Sequence, residues 1–216
     1  MTNRTNEIAR KFREEWFHFN PFLFFVLLCL ISVGLLIFKK AFIIDGLAAF
    51  EILNERGESG VINLIFGLQY LSVPVFYLWK ITITTIFLWI SSFFFGYRLL
   101  FKQIWKLVLS MEIFFILPEL VKIAFYLDGT ADLTYWDIKA FYPLSVLSAL
   151  DYNEIAPRWH YVLKSLNLFE PVYWYLLYFG VYALSNKKKK TSFQIVLIGY
   201  IIPFFVWLAF YAIVYK

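Results

Sequence analysis

Glu112 and Glu119 are notable because they interrupt one of the most apolar stretches of the chain, SMEIFFILPELVK. They are seven residues apart, close to two turns of an α-helix, so we expect both carboxyl groups on one helix face. At the centre of a membrane helix each such acid costs on the order of 2.5–3.5 kcal/mol. Acids in that setting carry protons or ions, bind a polar ligand, or join neighbouring helices through hydrogen bonds.

Pro118 and Lys122 alter the surroundings of the two acids. Pro118 lacks an N–H and its ring conflicts with the carbonyl group one turn earlier, near Phe114, which predicts a local bend. Lys122 follows Glu119 by three residues and is expected to meet it on the same face. We favour a packing role for both acids over an ion or proton path or a polar-ligand site. A path usually draws charged groups from several helices, and the other predicted spans carry none near their middles.

Signatures of enzyme chemistry are weak. The two histidines, His18 and His160, do not have the spacing of a helical metal site, and Cys29 is the only cysteine. One further cluster is interpreted as the solvated surface of a short helix: Asp151, Glu154, Arg158 and His160. We therefore predict no catalytic residue, no cofactor and no metal site, and expect a protein that is not an enzyme.

The composition indicates a protein that resides in a membrane. Of 216 residues, 62% are hydrophobic and only 16% are charged, against roughly 25% charged in soluble domains. A soluble core of this size could not hide so much apolar surface. The formal net charge of +5 does not indicate a nucleic-acid partner, because the lysines cluster beside apolar runs, where they act as topology signals.

The apolar runs predict an all-α fold, a polytopic transmembrane helical bundle with about six spans and short interfacial amphipathic helices. A lone Lys80 separates the second run from the third and predicts a tight hairpin. Residues 1–20 form a separate amphipathic interfacial segment, and a short amphipathic helix is expected after Pro157. The membrane domain covers 21–216, with spans at about 21–38, 61–79, 81–101, 104–127, 169–185 and 193–215.

The strongest topology signal is a run of four lysines: Lys187, Lys188, Lys189 and Lys190. Basic residues mark the cytoplasmic side, so we expect this loop inside and the acid-rich connection 128–168 outside. With six spans, the basic N-terminal tail would then lie outside, against the same rule. The side of the first 20 residues therefore stays open, as does the question of whether the first run crosses fully.

A series of short motifs lies along the chain in a fixed order: Phe19-Asn20-Pro21, Gly96-Tyr97-Arg98, Phe101-Lys102-Gln103, Pro118, Leu168-Phe169-Glu170-Pro171, Trp174, Gly180, Thr191-Ser192-Phe193, Gly199 and Tyr200. In this order and layout the chain resembles the Yip1-domain family of multipass membrane proteins over most of residues 12–216. The resemblance implies a helical bundle without known catalytic residues, and the family's eukaryotic members act as membrane-trafficking scaffolds that bind small GTPases and one another. The acid pair and the short N-terminal region depart from the family pattern.

Taken together, the sequence predicts a non-enzymatic integral membrane scaffold or accessory subunit, of the type found in the bacterial inner membrane. The expected partners are the lipid bilayer and other membrane proteins or further copies of the chain. The alternative is a small transporter or channel component that uses Glu112 and Glu119 to handle protons or ions.

Overall fold

The computed structural model describes residues 18–45, 47, 59–127, 135–185 and 188–215. Every regular element in this described part is helical, as the sequence predicted. The N-terminal segment 1–20 lies outside the description except for its last three residues. The α-helices are α1 Pro21–Lys39, α2 Ser59–Phe94, α3 Phe101–Glu112, α4 Ile116–Leu127, α5 Tyr135–Ala140, α6 Pro157–Ser165, α7 Phe169–Ser185, α8 Lys189–Val196 and α9 Ile202–Val214.

Short turns of other helical types join several of these elements. The π-helical turn Lys40–Ile44 extends α1, and Leu197–Ile201 joins α8 to α9. The 3₁₀ turn Ile113–Phe115 joins α3 to α4, four residues ahead of Pro118. Its position fits the loss of the Pro118 N–H and the conflict between the proline ring and the carbonyl of Phe114. A further 3₁₀ turn, Leu147–Ala149, lies in the connection before α6.

Within the described ranges, three helical segments are long and apolar enough to cross a membrane: Pro21–Ile44, Asn63–Phe94 and Lys189–Val214. The first begins at a well-formed cap, in which Asn20 Oδ1 accepts hydrogen bonds from the N–H groups of Phe22 and Leu23. Pro21 occupies the first helical position, where its missing N–H costs nothing. The third contains the π-helical turn just ahead of Pro203.

The predicted hairpin at Lys80 is wrong, because α2 runs without a break from the predicted span 61–79 past Lys80 and into the predicted span 81–101, as far as Phe94. A hairpin between antiparallel helices needs a loop of about two to five residues, and a single lysine flanked by Trp79 and Ile81 provides none. The helix ends at Phe94 instead. Gly96 has a φ of +70° and donates its N–H to Phe93, while Tyr97 donates to Ser92. These two bonds form a Schellman motif, which only a glycine in the left-handed region closes easily.

The helices run up and down through a shared core. We call the end of the bundle where α8 begins the lysine side, and the opposite end, which carries the connection from α4 to α7, the loop side. At the lysine side, Lys106 Nζ lies 5.1 Å from the ring centroid of Phe19, so α1 and α3 begin next to each other. At the loop side, Trp207 Nε1 donates to the hydroxyl of Tyr161 at 3.1 Å, so α6 packs beside the end of α9.

Candidate functional site

A buried ion pair between Lys80 and Glu112 occupies the middle of the bundle. Glu112 is the last residue of α3 and its side chain is 0% exposed, whereas that of Lys80 is 28% exposed. Lys80 Nζ donates to Glu112 Oε2 at 2.7 Å, and the hydroxyl of Tyr173 on α7 donates to Oε1 at 2.8 Å. Both carboxylate oxygens therefore have a close donor, which offsets much of the cost of burying the charge.

Aromatic side chains surround this pair. The ammonium group of Lys80 lies 3.9 Å from the ring centroid of Phe115 and 5.9 Å from that of Tyr173. Tyr173 in turn packs edge-on against Tyr200, whose hydroxyl lies 3.4 Å from Glu170 Oε2. A cation over aromatic faces is attracted by their quadrupoles, and the attraction is stronger where water is excluded. The polar centre thus draws on α2, α3, α7 and the π-helical turn before α9.

Glu119 has a different partner from the one that its spacing predicted. Its Oε2 lies 3.3 Å from Lys39 Nζ at the end of α1. The side chain of Glu119 is 38% exposed, whereas that of Glu112 is fully buried; the lysine partners differ the other way, with Lys39 17% and Lys80 28% exposed. The two acids therefore differ in both environment and partner helix, although they are two turns apart on one helical segment.

Lys122 does not meet Glu119 as the sequence predicted. Its buried ammonium group donates to the carbonyl of Ile138 and, at 2.7 Å, to that of Phe141. These carbonyl groups lie at the C-terminal end of α5, where the helix dipole favours a cation and no intrahelical N–H is present to satisfy them. Lys122 thus attaches the connecting segment to α4 and leaves Glu119 free to pair with Lys39.

A cavity of about 220 Å³ opens between α1, α2 and the start of α4. Two of its wall residues, Ser32 and Tyr77, are joined by a 2.9 Å hydrogen bond between their hydroxyl groups. Phe115 forms part of the wall. The Lys80 ammonium group packs over the same ring, so Phe115 lies between the cavity and the ion pair. The wall residues are Ser32, Leu35, Leu36, Gln69, Ser72, Val73, Phe76, Tyr77, Phe115, Ile116 and Glu119.

Beyond the ion pair, towards the lysine side, the bundle is packed closely by aliphatic side chains. A Cβ added to Gly180 would lie 2.1 Å from Leu107 Cδ1, and one added to Gly199 would lie 2.9 Å from the Cα of Leu88. Such distances show helices in direct backbone-to-side-chain contact. The fully buried residues of this half include Leu88, Leu107, Leu177, Val181 and Ile195. The cavity lies on the loop side of this closely packed half.

The topology lysines are partly described. Lys188 caps the start of α8, and Lys189 and Lys190 form its first turn, while Lys187 lies outside the described residues. The ammonium group of Lys189 lies 5.9 Å from the ring centroid of Tyr182 on α7. These lysines are therefore at the same end of the bundle as Lys106 and the start of α1.

Sequence reasoning identified Glu112 and missed its partners. Lys80 was assigned to a turn, so its position in the middle of a long helix was not recognised. The available signal was that none of the four residues on either side of Lys80 is Gly, Pro or Asn, the residues that usually mark a turn. No sequence pattern predicted Tyr173 as the second donor or Lys39 as the partner of Glu119.

Comparisons of the chain with protein-family models, with curated proteins and with solved structures found no match in any of the three.

Proposed function

We propose that the chain is a non-enzymatic integral membrane scaffold or accessory subunit, in keeping with its resemblance to Yip1-domain proteins. The observation that supports this best is the closure of the polar centre. Glu112 receives donors from Lys80 and Tyr173, both belonging to the protein itself, and neither Lys80 nor Glu112 lies in the wall of the cavity. An ion pair in which both carboxylate oxygens accept hydrogen bonds from side chains of the protein holds three helices in register, and its fully buried acid is not offered to a substrate.

The proposal includes five membrane crossings, formed by α1, α2, α3 with α4, α7, and α8 with α9. Because α2 is one helix, the count falls by one from the six predicted spans, and the basic tail comes to the same side as the four lysines. Arg98, Lys102 and Lys106 share this side. The conflict between the tail and the lysine run is thereby removed, and the basic side is assigned to the cytoplasm of a bacterial inner membrane.

Cysteine labelling in intact cells tests this topology. In a Cys29→Ser background, single cysteines at Thr2 and Asn186 are expected to resist a membrane-impermeant maleimide, and one at Asp151 is expected to react. Reaction at Thr2 together with protection at Asn186 would contradict five crossings.

The scaffold role is tested by purifying the tagged full chain in a mild detergent and quantifying co-purified proteins by mass spectrometry. We expect one membrane protein to co-purify with the wild-type chain at a fixed stoichiometry. Substitutions on an exposed face of the chain are expected to abolish this co-purification. A suitable face is that of α2 around Leu71 and Val75, whose side chains are largely exposed. Recovery of the chain alone, under conditions that preserve its fold, would count against the proposal.

A transporter or channel component is the second candidate, and one observation favours it. Charged or hydrogen-bonding groups converge on the bundle centre from several helices, including Lys80, Glu112, Tyr173 and Glu170. Carriers of protons or ions often show this arrangement. The signature of such a role is a flux that requires Glu112 or Glu119.

A further inference from the structure

The cavity on the loop side has features that the scaffold role does not use. It lies between two of the apolar segments that are long enough to cross a membrane, and it has a half-exposed carboxylate at Glu119. Gln69 and Ser72 of α2 and the Ser32–Tyr77 hydroxyl pair supply further polar groups in its wall. A wall of this kind offers hydrogen-bonding partners at a depth where lipid chains offer none.

The charges at the cavity constrain what it can hold. Glu119 Oε2 in the cavity wall is 3.3 Å from Lys39 Nζ, so a positive group lies directly beside this carboxylate, although Lys39 is not itself a wall residue. A simple cation would have to compete with Lys39, and a simple anion would be repelled by Glu119. A ligand that carries both charges close together can place its cation on the carboxylate and its anion on the ammonium group without leaving a charge unpaired.

The size of the cavity narrows the ligand further. Its volume of about 220 Å³ is below the roughly 300–1,000 Å³ of pockets that enclose drug-sized ligands. It can therefore hold a headgroup but not the acyl chains of a lipid. The remaining wall is aliphatic and aromatic, with Leu35, Leu36, Val73 and Phe76 between the polar groups, and suits the methylene groups of a headgroup and the glycerol beside it.

We propose that this cavity binds a zwitterionic headgroup of the phosphoethanolamine type, drawn from the leaflet on the loop side. The primary ammonium group donates to Glu119 and the phosphate accepts from Lys39, which lies 3.3 Å from that carboxylate. A primary ammonium donates hydrogen bonds, whereas the quaternary ammonium of a choline headgroup has no N–H to donate. The site therefore distinguishes phosphatidylethanolamine from phosphatidylcholine.

Native mass spectrometry of the full chain, released from nanodiscs that contain equal amounts of the two lipids with identical acyl chains, tests this site. Wild-type protein is expected to retain phosphatidylethanolamine over phosphatidylcholine by about tenfold, the effect of one charge-assisted hydrogen bond. In Glu119→Gln the preference is expected to fall to within about twofold, because the carboxylate is lost. Equal retention of the two lipids by the wild type, or an undiminished preference in Glu119→Gln, would overturn the proposal.

Two further variants control for effects that do not depend on the cavity. Asp45→Asn removes the acid of another partly exposed lysine–carboxylate pair, Lys40–Asp45, which lies outside the wall of this cavity, and it should keep the preference. If Asp45→Asn loses it as fully as Glu119→Gln, the effect is a general surface property and the site is rejected. Lys39→Gln, which removes the phosphate partner, serves where Glu119→Gln does not fold and should weaken retention of both lipids.

Addition of free phosphoethanolamine at millimolar concentration distinguishes the sources of the headgroup. Displacement of the lipid supports the headgroup site and shows that a soluble compound can fill it. Retention of the lipid at every concentration supports the site and assigns it to the bilayer.

Discussion

Replacing Glu112 with glutamine removes the carboxylate that joins α3 to α2 and α7. The variant leaves the Lys80 ammonium group in the bundle centre without its counter-ion, 3.9 Å from the ring centroid of Phe115. Breaking a buried pair by removing one partner costs about 3–5 kcal/mol, and the 28% exposure of Lys80 places the expected loss near the lower end, about 3 kcal/mol. Tyr173→Phe removes one bond to the same carboxylate, and an expected loss of about 1.5–3 kcal/mol follows.

The measurement is equilibrium unfolding in mixed micelles with a rising fraction of denaturing detergent, followed by tryptophan fluorescence. The matched control is Glu119→Gln, which should lose less than Glu112→Gln, because the carboxylate of Glu119 is 38% exposed and its lysine donor lies at a longer distance of 3.3 Å. The double variant Lys80→Met/Glu112→Leu removes both members of the pair and should recover most of the lost stability, because neither member is left in the core without the other.

Two outcomes would refute this reasoning. One is a free energy of unfolding for Glu112→Gln within about 0.5 kcal/mol of the wild type, the range of an ordinary surface substitution. The other is a loss of unfolding free energy in Lys80→Met/Glu112→Leu that equals the sum of the losses in Lys80→Met and in Glu112→Leu measured singly. Such additivity would show that Lys80 and Glu112 act independently.

Two further predictions concern packing and the connection after α4. Gly199→Ala should lower the free energy of unfolding by about 1–3 kcal/mol, because the new Cβ would meet the backbone of Leu88 at 2.9 Å, whereas Gly34→Ala, with nothing within 4 Å, should gain up to about 1 kcal/mol of helix stability. Equal changes in the two variants would contradict the close helix contact. Lys122→Met should speed chymotryptic cleavage of the 128–141 connection, since two carbonyls near the end of α5 lose their donor, while the exposed Lys102→Met should cleave like the wild type. Unchanged cleavage in Lys122→Met would show that the lysine does not hold the segment.

Local signals predicted the ends of several helices well. Asn20 followed by Pro21 predicts a helix start, and the structure shows the Asn20 cap. Pro157 likewise marks the start of α6, which packs beside α9 through Tyr161 and Trp207. These features depend on residues within one or two turns of each other, so a single sequence carries the information.

The polar centre could be predicted only in part, because its contacts join distant parts of the chain. Glu112 is conspicuous in any apolar helix, but Lys80 lies 32 positions earlier and Tyr173 lies 61 positions later. The partner of Lys122 was missed for a related reason. A helix spacing of three residues makes Glu119 available, yet the carbonyls near the end of α5 are the stronger site for a buried ammonium group once that short helix folds back.

In the proposed role, the Lys80–Glu112 pair holds the helices of the bundle together and does not carry ions. Reconstituting the purified chain in liposomes, imposing a pH gradient and following proton flux with a trapped pH-sensitive dye tests this role. We expect a proton flux no greater than that of protein-free vesicles, in the wild type and in Glu112→Gln alike. A proton flux in the wild type that disappears in Glu112→Gln or Glu119→Gln would contradict it and establish the transporter alternative.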